Sequence, residues 1–102
     1  MTLARTDMDK HLFKLYIAGN TTRSVRAQAN LRRLCDELLS GQCRVEIIDV
    51  LEQPQLAEQQ KILATPTLIR ELPLPMRRVI GDLSDEEKVL MALDMSRAQR
   101  PD

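Results

Sequence analysis

Apolar and polar positions alternate with the period of a strand over residues 12–18, LFKLYIA. Phe13, Leu15 and Ile17 fall on one side and Leu12, Lys14 and Tyr16 on the other, which predicts a strand with one strongly apolar face. Gly19-Asn20 ends it. The period then lengthens. Ala27, Leu31, Leu34, Cys35 and Leu38 recur at helical spacing, with Arg26, Asn30, Arg33 and Glu37 on the opposite face. Asn20, Thr21, Thr22 and Ser24 all have N-cap chemistry, and Ser40-Gly41 supplies a glycine stop.

Residues 44–51, RVEIIDVL, read as a second strand, more fully buried where Ile47 and Ile48 adjoin. Strand, helix and strand within about forty residues make a βαβ unit, so the two strands are expected to be parallel with a right-handed crossover. Pro54 suits the first turn of a short, weak helix over residues 55–63. Thr65-Pro66-Thr67 then pre-sets entry into the run Thr67-Leu68-Ile69. Residues 67–72 and 77–80 read as short strands joined by Pro73-Leu74-Pro75, a hairpin-like edge, with Gly81-Asp82 as the following turn. Ser84-Asp85-Glu86-Glu87 has the spacing of a capping box and opens a helix with Val89, Leu90 and Leu93 inward. Residues 1–10 and 97–102 read as flexible polar tails around one domain.

Composition narrows the function classes. The 102 residues suit one small core, and 15 basic against 15 acidic side chains give no basic footprint for nucleic acid. No apolar run approaches the ~20 residues of a membrane span, and the N-terminal ten lack a signal-like apolar core, so a cytoplasmic protein is expected. Phe13 and Tyr16 are too few aromatics for a base-stacking platform. Cys35 and Cys43, eight apart with one His in the chain, read as buried structural thiols rather than metal ligands. No cofactor and no metal are expected.

The order β-α-β-α-β-β-α, with a proline before the third strand, is the α/β arrangement of thioredoxin. In that fold the nucleophile is a CxxC on the turn after the first strand, where the helix N-terminus stabilises a thiolate. Here that turn is Ala18-Gly19-Asn20-Thr21-Thr22-Arg23-Ser24, without cysteine. Ser24, with no adjacent His or Lys base, reads as a cap, so no catalytic residue and no enzyme activity are expected.

The strings KLYIAGNT, SVRA, IIDVL, QPQLAEQQKILATPTL, RRVIGDLSDEEKVL and ALD resemble the circadian clock protein KaiB over nearly the whole domain. The resemblance implies a non-enzymatic regulator that binds the N-terminal ATPase ring of the hexameric clock protein KaiC, and that acts with KaiA or a SasA-like histidine kinase where these exist. It also implies two folds: a ground state of order β-α-β-β-α-α-β that forms tetramers or dimers, and a monomeric thioredoxin-like state that binds KaiC. The alternative is a thioredoxin-like adaptor in stress response or histidine-kinase signalling. Local preferences agree with two folds, since Val89, Met91 and Leu93 alternate as a strand would while Val89, Leu90 and Leu93 mark a helical face.

From the resemblance, Arg26, Lys61, Arg70, Arg77 and Arg78 are the candidate partner-binding residues, because guanidiniums pair bidentately with partner carboxylates. Gly19, Asn20, Pro66, Pro73, Pro75, Ala92 and Asp94 are the candidate fold-switch or structural positions, with X-Pro isomerisation a candidate switching barrier. Four departures stand out. Asn20-Thr21-Thr22 replaces the usual N-T-P, Pro73-Leu74-Pro75 replaces three prolines, Glu46 stands for a lysine, and Ala92 stands for a glycine of some members. Alanine favours helix over glycine by ~1 kcal/mol, so the balance is expected to tilt towards the thioredoxin-like state in a divergent, non-cyanobacterial member.

Overall fold

The computed structural model describes residues 10–95, so the two polar tails expected at residues 1–10 and 97–102 lie, apart from Lys10, outside the described residues. The element order is β1 (His11–Ile17), α1 (Thr22–Leu38), β2 (Cys43–Asp49), α2 (Pro54–Gln59), β3 (Thr67–Leu72), β4 (Arg77–Ile80) and α3 (Glu86–Ala92). One four-stranded mixed sheet has the order β2-β1-β3-β4, with β1 parallel to β2 and antiparallel to β3, and β3 antiparallel to β4.

The alternation in β1 decides how the layers form. Phe13, Leu15 and Ile17 join Leu68 and Val79 against Ala27, Leu31, Leu34 and Leu38 of α1 and Val89 and Leu90 of α3, and Leu39, Leu83 and Leu93 beside the helices complete the main core. Tyr16 points to the other face with Ile48 and Ile69, where Val50, Leu56 and Ile62 cover it. The sheet is therefore sealed by two helices on one side and by a single short helix on the other. Burial accounts for both clusters, at about 1.5–3 kcal/mol for each large apolar side chain removed from water.

Several expectations shift. The capping box places Ser84 at the helix start, but Asp85 is the N-cap of α3, its carboxylate accepting from the Lys88 N–H at 3.2 Å. Ser84 lies one residue outside, with its own N–H turned to Asp82 Oδ1. The weak second helix ends at Gln59, short of Leu63, because the chain turns at Lys61 with a positive φ of 55°. Ile47 is not buried beside Ile48: β2 is an edge strand, so Ile47 is 42% exposed while Ile48 is 6% exposed.

The cysteines also differ from expectation. Cys35 and Cys43 form a disulfide and are not free thiols. The short turn between α1 and β2 brings their Cα atoms to 6.1 Å, within bridging reach. The bonds Thr65–Pro66, Leu72–Pro73 and Leu74–Pro75 are all cis.

Candidate partner-binding surface

The turn after β1 is built as a cap. Thr21 is the N-cap of α1, and its Oγ1 accepts from the Ser24 N–H at 3.2 Å and donates to Ser24 Oγ at 2.9 Å. Ser24 Oγ accepts in turn from the Ala18 N–H at 3.3 Å, and the residue is 1% exposed. Gly19 has a φ of 64°, a left-handed conformation that favours glycine, and its N–H donates to Asp49 Oδ1 at 3.2 Å. The same oxygen receives the Leu51 N–H at 2.9 Å, so one carboxylate ties the ends of β1 and β2 together. In this turn, which carries the nucleophile in a thioredoxin, the Thr21 and Ser24 hydroxyls are occupied in capping α1 and holding the Ala18 N–H. Asp49 was not singled out by its sequence position, because an acidic residue at a strand end carries no distinctive pattern.

The five candidate basic residues do not form one patch. Arg26 projects from the exposed side of α1 and pairs with Asp82 Oδ2 at 3.4 Å. Asp82 is the organiser that sequence reasoning missed. Its Oδ1 accepts from the Ser84 N–H at 3.1 Å, its carbonyl accepts from Asn30 Nδ2 at 2.8 Å, and hydrogen bonds from Ser84 and Arg26 hold its carboxyl below the ordinary aspartate range. On the α2 side of the sheet, Arg78 donates to the carbonyls of Gln60 at 3.0 Å and Lys61 at 3.5 Å, which brings the candidates Lys61 and Arg78 together. At the far end, Arg77 pairs with Asp94 at 3.7 Å, both partly or largely exposed.

Arg70 corrects its expected surface position. It is 5% exposed, because register with Phe13 and alternation from Leu68 turn it to the α1 and α3 face. Its Nη1 donates to the Leu93 carbonyl at 2.7 Å and its Nη2 to the Pro75 carbonyl at 2.9 Å. Burial, with Arg77 nearby, lowers its pKa.

Of the structural positions, Pro66 immediately precedes β3, and its carbonyl accepts from the Gly81 N–H at 2.9 Å. Pro73 and Pro75 bracket the exposed Leu74 at the hairpin turn. Asn20 is exposed beside Gly19, Ala92 closes α3, and Asp94 follows with a φ of 58°. Among the described residues, no three His, Cys, Asp or Glu side chains converge on a metal-sized site, and no helix is long and apolar enough to cross a membrane.

Comparison with known proteins settles the family. The family model for the KaiB domain matches residues 14–95. The chain belongs to the KaiB family. It is 57% identical over 89 residues to the circadian clock protein KaiB3 of Synechocystis sp., covering 87% of each chain. It is 56% identical over 85 residues to the circadian clock oscillator protein KaiB of Synechococcus elongatus, covering 83% of each.

This KaiB-family chain has a thioredoxin-like fold. Mitochondrial thioredoxin 3 of Saccharomyces cerevisiae superposes with a TM-score of 0.66 at 20% identity, covering 92% of this chain and 89% of that one. The N-terminal domain of SasA from Synechococcus elongatus gives a TM-score of 0.61 at 22% identity, covering 84% and 85%. At those identities the likeness carries the fold alone, and the fold class read from the sequence is confirmed.

Proposed function

We propose that this KaiB-family chain is a non-enzymatic, cytoplasmic regulator that binds the N-terminal ATPase ring of a KaiC-type hexamer and modulates its phosphorylation and ATPase cycle. The observation that carries this reading is the cap at Thr21 and Ser24: a thioredoxin-like domain of the KaiB family has a helix cap where a redox enzyme keeps its nucleophile. The surface is then available for recognition. Arg26, Lys61, Arg77 and Arg78 are the proposed partner contacts, since each is exposed and guanidiniums suit partner carboxylates. Arg70 is left out of that set because its burial gives it a structural role.

The thioredoxin-like state is the proposed binding-competent form, in exchange with a homo-oligomeric ground state, tetramer or dimer, of order β-α-β-β-α-α-β. A ligand selecting one state shifts the population only by its differential affinity, so binding and fold balance are linked. KaiA or a SasA-like histidine kinase is a further proposed partner where the host has one.

Pull-down and native mass measurement with a KaiC homologue, with and without ATP, test the proposal. A nucleotide-dependent complex is the expected result. Failure to bind under conditions that populate the thioredoxin-like fold would overturn it in favour of an adaptor without clock function.

A further inference from the structure

We propose that Cys35–Cys43 is a reversible redox modification site, opened by a dithiol of the thioredoxin or dithiothreitol class and closed by a disulfide of the glutathione class, and that its state sets the corner between α1 and β2. The inference is independent of the partner reading. Three observations meet at this corner.

The first is placement. Cys35 lies in the last turn of α1 and Cys43 is the first residue of β2. A thioredoxin carries its cysteines at the opposite end of the corresponding helix, so this pair is positioned as a substrate of thiol exchange and not as its catalyst.

The second is the backbone it spans. Ser40 and Gly41 are consecutive left-handed residues, with φ of 54° and 71°. For serine that conformation is unfavourable and must be held by its surroundings. The Leu39 and Gly41 N–H groups both donate to the Cys35 carbonyl, at 3.1 and 3.0 Å. The Gln42 N–H donates to the Leu39 carbonyl at 2.9 Å, and the Gln42 carbonyl accepts from the His11 N–H at 3.1 Å. Cys35 thus anchors the turn through both its carbonyl and its sulfur.

The third is access. Both cysteines line a cavity of about 270 Å³ with Gln28, Arg32, Asp36, Val45 and Ile47, beside the open edge of β2. Cys43 is half-buried, packing in part against the main core, and Cys35 is 7% exposed, so Cys43 is the more accessible residue of the pair.

The exchange balances as follows. A thiolate of the dithiol attacks Cys43 Sγ, forming a mixed disulfide, while the Cys35–Cys43 bond breaks and its electron pair leaves on Cys35 Sγ. The second thiolate of the reagent attacks its own sulfur in that mixed disulfide and releases Cys43 as thiolate. Water supplies two protons, the protein has gained two electrons, and the dithiol has become a disulfide. Arg32, one helical turn before Cys35 and on the same cavity, favours the leaving thiolate, whereas Asp36 and the C-terminal end of α1 oppose it. Once opened, the pair no longer braces Ser40 and Gly41, and the start of β2 is released.

The test uses the full chain equilibrated across glutathione and dithiothreitol redox ratios, quenched by maleimide and weighed intact, with hydrogen exchange followed at residues 39–45. The expected result is one two-electron transition within a monomer, and faster exchange at that corner only in the reduced form. The C35S/C43S double variant is expected to show no transition and the reduced pattern at every ratio. Reduced wild type provides the same comparison if the variant does not fold. Thiols fully alkylated at every ratio, oxidation that joins separate chains, or identical exchange in both forms would each overturn the proposal.

Discussion

Arg70 Nη1 and the Leu93 carbonyl lie 2.7 Å apart, so a buried guanidinium on the sheet holds the residue that caps the C-terminal end of α3. The same side chain grips the Pro75 carbonyl in the β3–β4 turn at 2.9 Å. One residue therefore couples the last helix to the proline turn. Bonds to a charged donor contribute roughly 1.5–3 kcal/mol each before desolvation is counted, and Nε remains without a partner, so the net effect is smaller than their sum. R70A is expected to lower stability by about 2–3 kcal/mol. R70M should lose less, because it restores the packing of the aliphatic stem. Hydrogen exchange is expected to rise first over residues 86–93. Uniform acceleration across the domain would show that Arg70 is not a local latch.

The cap at Thr21 makes a second prediction. T21A removes the acceptor for the Ser24 N–H and the donor to Ser24 Oγ, and it should cost about 1 kcal/mol, within the 0.5–2 kcal/mol span of N-cap losses. In a domain of this size that lowers Tm by roughly 4–8 °C. Urea midpoints read at constant m-value check it.

His11 gives the pH dependence an assignable part, since it is the only histidine. Burial lowers its pKa below 6.5, Arg70 and Lys10 add to the effect, and a hydrogen bond to the Gln42 backbone opposes it. The unfolded chain therefore takes up the proton first as pH falls. Stability should be flat above 6.5 and should decline from there down to the lower folded-state value, a slope that H11Q abolishes. Asp82 acts at lower pH: its depressed pKa adds stability that is present above 3.8 and lost as pH falls through the folded value, and D82N removes that step. Unfolding followed across pH in the two variants separates them.

Ala92 is a lever on the last helix. A92G should weaken α3 by up to about 1 kcal/mol through helix propensity, and it also removes a methyl group that packs partly buried against the main core. If the two-fold balance proposed above holds, the substitution should raise the oligomeric fraction at high concentration, read by native mass measurement, while a purely local role would leave that fraction unchanged.

Arg26 separates recognition from stability. Its pair with Asp82 is solvent-exposed on the arginine side, so R26A should change stability by less than about 1 kcal/mol. A partner-contact role predicts a loss of affinity for a KaiC homologue of more than about 1 kcal/mol, roughly five- to tenfold. Unchanged affinity would remove Arg26 from the proposed surface.

Much of the fold was legible because its signals are local. The alternation of Phe13, Leu15 and Ile17, the helical stripe from Ala27 to Leu38 and the prolines around the hairpin each imply one geometry, and the structure has all three. What stayed hidden depends on neighbours distant in sequence. Ile47 looks like Ile48 until the strand order leaves β2 at the edge. Arg70 looks like any surface arginine until its register with Phe13 turns it inward, and the pairing of Cys35 with Cys43 depends on how tightly residues 39–42 turn. The candidate site was less legible than the fold. Asp82 and Asp49 organise it through bonds to backbone groups that carry no residue-type signature.

The strand order β2-β1-β3-β4 has a consequence for synthesis. β1, α1 and β2 close on one another within the first 49 residues, whereas β3 and β4 are laid on the far side of β1 afterwards. As the nascent chain lengthens, the first half has its pairing partners in hand before the second half is made. The edge of β1 that will receive β3 is meanwhile an unfilled template, and the residues that fill it, Thr67–Leu72 between Pro66 and Pro73, are translated after β2 and before β4.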